Sequence, residues 1–127
     1  MQALTTFGPL AGRVLIGLLF LLAGLGKLPD VQGFSGYLAS GGLPAFLAWP
    51  AVIFEIVVGA LLIIGYQTRI AALLIAAFCV VSGALYHFAP ADQLQMAMFL
   101  KNLAIAGGAL MYAAHGAGRF ALDKAAA

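Results

Sequence analysis

The chain has 127 residues, of which 65% are hydrophobic and 8% charged, and a formal net charge of +2. A soluble domain carries roughly 25% charged residues, so this chain cannot cover its own surface with polar groups, and the bilayer must be its solvent. The small net charge and the lack of any basic stretch exclude nucleic acid as a partner.

The length allows one domain, residues 1–127, holding about four spans of ~20 residues. The first is expected from about Pro9 to Leu28, ended by Pro29–Asp30, because proline cannot continue a helix. It reads as a retained span: the stretch before Arg13 carries no charge, and no small-x-small cleavage site follows. Next comes VQGFSGYLASGGLP, too polar to span and too apolar for a free linker. Phe34, Tyr37 and Leu38 recur at i, i+3 and i+4, which predicts a short interfacial helix ended by Gly41–Gly42. A second span is expected from about Ala45 to Ile64, with Pro50 either kinking it or marking its true start. The short link Gly65–Tyr66–Gln67–Thr68 makes an antiparallel hairpin with the third span, Arg69 to Phe88. A fourth runs from about Leu94 to Ala114, ended by Gly116 and Gly118. The expected fold is therefore all-α, an integral membrane four-helix bundle. Arg13, Arg69, Arg119 and Lys124 gather at one membrane face and Lys27, Asp30 and Asp92 at the other, so the positive-inside rule puts both termini in the cytoplasm.

Helical phase, at ~100° per residue, selects one face of each span. These faces are Arg13, Gly17, Phe20, Gly24 and Lys27; Ala48, Glu55, Gly59 and Tyr66; Arg69, Ala76, Gly83 and His87; and Lys101, Ala104, Gly108, Tyr112 and His115. Small residues let helices approach in a membrane, and intramembrane charges face the bundle interior, so the four faces are expected to meet. Glu55 interrupts an apolar run near the midplane, where a carboxylate costs several kcal/mol, on the order of 2.5–3.5 on the gentlest scale. Lys27, Glu55, His87, Lys101 and Asn102 converge on the outer half as a polar binding cluster, with Glu55 and His87 the candidate proton carriers. Glu55–Lys101 is the preferred ion pair on depth, with Arg13 the alternative partner for Glu55. Arg13, Arg69 and Arg119 read as structural or topological anchors; for Arg13 the choice lies between reaching headgroups and facing inward.

No haem, flavin or metal motif is present. His87 and His115 fall at opposite membrane faces, Met96 and Met98 diverge by ~200° on a helix, and Cys79 is the lone cysteine. Gly8 and Gly12 form a GxxxG, a pattern used in helix association, which leaves a homo-oligomer open.

Gly12–Arg13, FLLAGLGKL, GYLASGGLP, Glu55 with Gly59, Gly65 to Arg69, Ala84 to Phe88, MFLKNLAIAGG and GAGRFALD together resemble the DoxX family of small membrane proteins. The resemblance implies a four-helix bacterial inner-membrane protein. Its relatives include a thiosulfate–quinone oxidoreductase subunit and proteins linked to sulfur metabolism and oxidative stress. Three functions then fit. The chain could be a membrane subunit of a redox system using a quinone or a small sulfur compound, with Lys27 and Lys101 drawing in an anion and Phe20, Phe54, Phe99 and Tyr112 lining a quinone cleft. It could be a non-enzymatic scaffold or assembly partner, or a small-solute transporter. Whether the chain is itself catalytic stays open.

Overall fold

The computed structural model describes residues 1–123, and Lys124, counted above among the topological charges, lies outside them. Five α-helices follow one another: α1 (Gln2–Lys27), α2 (Val31–Ser40), α3 (Ala48–Ile64), α4 (Thr68–Tyr86) and α5 (Gln93–His115). Tight 3-10 turns, Leu28–Asp30 and Ala45–Leu47, lead into α2 and α3. The segments Gln2–Ser40, Ala45–Ile64, Thr68–Tyr86 and Gln93–His115 are each long and apolar enough to cross a membrane. Leu15, Leu22, Ile53, Leu73 and Leu110 point outward, where only lipid tails suit them.

α1 starts at Gln2, earlier than the expected Pro9. Pro9 lies inside the helix, and the surroundings hold it there: its carbonyl accepts the Tyr112 hydroxyl at 2.9 Å, and Gly118 backs onto its ring. Pro50 does not kink α3, because it falls in the first turn, where no intrahelical N–H bond is lost. The short helix α2 is capped by Asp30, whose carboxylate accepts the Gly33 N–H at 2.9 Å. It turns Val31 and Leu38 onto Ala48 and Tyr86, and the Tyr86 hydroxyl donates to the Leu38 carbonyl at 2.7 Å.

The helices pack as two close pairs, α1 on α3 and α4 on α5. Gly17 and Gly59 bring α1 and α3 backbone to backbone: a Cβ on Gly59 would lie 2.6 Å from the Leu21 nitrogen and 2.7 Å from the Gly17 oxygen. The α3–α4 turn reverses the chain through Gly65 (φ 73°) and Gln67 (φ 52°), although these two helices touch less than either close pair. A shared core of Phe20, Val58, Leu62, Ile75, Cys79, Ala106 and Ala109 joins the pairs. On α5 the buried face centres on Ala106 and Ala109, one residue round from the expected face, and Lys101, Ala104 and His115 are exposed. The alanines allow the closest approach to α4, and that contact sets the rotation of α5.

Arg13 faces inward and reaches no headgroup, being wholly buried. Its Nη1 donates to the Leu62 and Ile63 carbonyls, both at 2.8 Å, its Nε to Ala117 at 3.0 Å, and its Nη2 to Phe120. The last four carbonyls of a helix have no intrahelical partner. In α3 all four are satisfied: Leu61 by the Gly65 and Tyr66 amides, Leu62 and Ile63 by Arg13, and Ile64 by the Leu122 amide. Asp123 caps α4 in turn, accepting the Gln67 and Thr68 amides at 2.8 and 2.9 Å. The tail thus closes the end of the bundle that carries the amino terminus.

Burial alone would push the Asp123 carboxyl up, but hydrogen bonds from Thr68 and Gln67 and the nearby Arg13 charge hold it below its ordinary value. An acid held down in the folded state stabilises above its unfolded pKa of roughly 3.9 and loses that contribution as pH falls through the folded value. Tail anchoring should therefore be constant at neutral pH and lost in acid below about pH 4. The protection factor at Leu122, its exchange rate relative to the unfolded chain at the same pH, should fall there, and should already be low at pH 7 in Arg13→Lys, which cannot span four carbonyls. Unchanged protection in Arg13→Lys would contradict this assignment.

Candidate functional site

The opposite end of the bundle, beside α2, is open between the two helix pairs. A cavity of about 700 Å³ lies there, and Lys27, Glu55, His87, Lys101 and Asn102 all line it. Apart from Ser82, Tyr37 and Tyr86, its other walls are apolar, including Phe20, Phe54 and Phe78. Phe54 stacks on Phe78 at 5.1 Å, and Phe20 meets Phe78 edge-on at 5.9 Å. Phe99 and Tyr112, also expected in a cleft, lie elsewhere: Phe99 packs on Phe88, and Tyr112 belongs to the closed end.

The ion pair differs from the one expected. Glu55, 5% exposed, pairs with Lys27 through Oε1 at 2.9 Å, and neither Lys101 nor Arg13 bonds to it. The glycine-lined contact between α1 and α3 is the reason, since it brings the end of α1 directly against Glu55. The Lys27 ammonium also lies 3.4 Å from the Ala23 carbonyl and 5.0 Å from the Phe34 ring centroid. Each contact suits a cation at a helix carboxyl end. Arg13 is spent at the far end.

His87 caps the end of α4, and its Nδ1 meets Gln95 Oε1 at 2.8 Å. An amide oxygen only accepts, so Nδ1 is the donor in this contact, and Nε2 is left without a protein partner. Asn102 Nδ2 donates to Ser82 Oγ at 3.3 Å across the α4–α5 contact, where Gly83 admits it. Ser82, Gln95 and Phe78 were not singled out from the sequence, and Phe34 only as part of the interfacial helix. Ser82 could have been, as a hydroxyl inside an apolar span. Gln95 could not, because nothing in its spacing distinguishes it from the other polar residues that open α5.

The three anchors separate. Arg13 is the buried clamp; Arg69 donates to the Ala113 and Ala114 carbonyls that end α5; Arg119 is exposed on the tail. Gly12 of the GxxxG faces the Tyr112 hydroxyl of the same chain.

A family model, DoxX, matches residues 8–88. The chain is 34% identical over 124 residues to "Inner membrane protein YqjF" of Escherichia coli (strain K12), covering 98% of this chain and 95% of that one. It is 30% identical over 122 residues to "Inner membrane protein YphA" of the same organism, covering 91% and 87%. It is 36% identical over 69 residues to "Putative oxidoreductase CatD" of Bacillus subtilis (strain 168), covering 54% and 52%. No solved structure matches the chain significantly.

A double-mutant cycle tests the pair. Lys27→Met strands a buried carboxylate and should cost on the order of 3 kcal/mol. Glu55→Gln leaves a half-buried amine that can bend to the surface, and should cost less. The double variant should be more stable than the sum of the two losses predicts. Strict additivity in detergent thermal denaturation would show that the contact carries no coupling.

Proposed function

The chain belongs to the DoxX family and is a multi-pass inner-membrane protein, and from that premise we propose that it is a membrane subunit of a redox system whose cavity receives a quinone. The observation that carries this reading is one cavity combining aromatic walls with Lys27, Glu55, His87, Lys101 and Asn102. Ligand pockets have this character: mostly apolar, about 300–1,000 Å³, with a few convergent polar groups. CatD's name, over the half of that protein which aligns, points the same way.

In this reading the ring packs against the stacked Phe54–Phe78 pair, and the Lys101 ammonium and the second Asn102 N–H donate to its carbonyl oxygens. A quinone takes up two electrons and two protons on reduction. Electrons come from a partner protein, and protons pass through Glu55 and His87 Nε2, both on the cavity wall. A second reading, a scaffold without chemistry, draws support from the closed Lys27–Glu55 pair, which already satisfies the deepest carboxylate.

Binding separates the two. Trp49, the single tryptophan, adjoins the cavity residue Pro50, so a bound quinone should quench it. In nanodiscs, a short-chain ubiquinone analogue should quench saturably, and Ala51→Phe, which fills the cavity, should weaken binding roughly tenfold. Linear quenching, equal in both proteins, would favour the scaffold.

The same proposal sets the orientation. Arg69 and Arg119 lie at the closed end, which faces the cytoplasm under the positive-inside rule, so the cavity opens towards the outer side. A carboxyl-terminal reporter that fluoresces only in the cytoplasm should be bright, and a dark one would invert the topology.

A further inference from the structure

Among the described residues, every carboxylate side chain already has a partner. Asp30 accepts the Gly33 amide and Asp92 the Gln95 amide, each capping a helix. Glu55 pairs with Lys27, and Asp123 holds the Gln67 and Thr68 amides at the far end. These are the four acidic residues of the sequence. His87 is engaged by Gln95. Lys101 lines the same cavity and forms no ion pair among the described residues, about 12 Å along α5 from its start at Gln93. Within the cavity the Lys27 and Glu55 charges cancel, and the Lys101 charge does not.

An uncompensated cation at that depth in a membrane span is unfavourable, and such residues face cavities and find counter-charges. A neutral occupant would leave this one uncompensated. A small inorganic anion would match the charge but leave most of the ~700 Å³ and its phenylalanine walls unfilled. Resting on the reading of this cavity as a ligand site, we infer that it selects an amphiphile bearing one negative charge, its anionic head at Lys101 and Asn102 and its apolar body along Phe54 and Phe78.

The probes are an alkylated hydroxynaphthoquinone, whose ring hydroxyl is ionised at neutral pH, and its methyl ether, which is neutral and nearly the same shape. Binding is measured in nanodiscs of zwitterionic lipid. The ionised form should bind roughly tenfold tighter than the ether. Lys101→Met should abolish the preference and Lys101→Arg should retain it, so loss of charge is separated from loss of fold. Decanoate should displace the ionised probe, and decanol should not. Equal binding of the two probes by the unaltered protein would overturn the inference and leave quinone binding intact. Binding of neither would overturn both. A preference that survives in Lys101→Met would also overturn it, since the charge would then serve a lipid or protein contact instead.

Discussion

Arg13 holds the closed end of the bundle together. A guanidinium cannot shed its proton, so once buried it must find oxygen for its donors. It finds four carbonyls, two at the end of α3 and two in the tail. Those same α3 carbonyls would otherwise be orphans in a medium without water. Each side thus solves the other's problem, and the tail from Ala117 to Asp123 becomes part of the packed structure. Gly65 is needed at the same point. Its positive φ turns the chain, and any side chain there would collide with Ala121 and Arg13.

Closing one end leaves the other to define the site. The helices associate as α1 with α3 and α4 with α5, each pair drawn close by glycine or alanine. Two tight pairs joined through a shared core can diverge where bulky aromatics replace small residues. Phe20, Phe54 and Phe78 mark that change, and the cavity lies among them. The helix α2 lines it through Phe34, Tyr37 and Leu38, held by Tyr86 through a hydrogen bond and through stacking on Tyr37 at 5.0 Å. The result is one end clamped by the tail and an opposite end holding the larger, mostly apolar cavity.

The distribution of charge follows the same division. Arg13 and Asp123 serve the clamp, while Lys27 and Glu55 neutralise each other on the α1–α3 side of the cavity. Lys101 stands on the α5 side of the cavity with no carboxylate of its own. A membrane protein with only four acidic residues has few ways to arrange this, and three of the four act as helix caps. Charge left over in such a chain is informative because it is scarce.

Composition and helical phase by themselves determined a membrane-spanning helical bundle, the inward face of α1 through Arg13, Gly17, Phe20 and Gly24, and the set of polar residues that gather beside α2. These depend on local periodicity and on the cost of charge in lipid, both readable along one chain. The partner of Glu55, the rotation of α5 and the role of the tail were decided only in three dimensions. Depth along a helix ranks Lys101 beside Glu55, but which helices pair is set by backbone approach at Gly17 and Gly59, and that brings Lys27 there instead. Likewise, a buried arginine can be placed on a face by its phase. Its acceptors come from residues far away in sequence, Leu62 to Phe120, whose convergence no local pattern encodes.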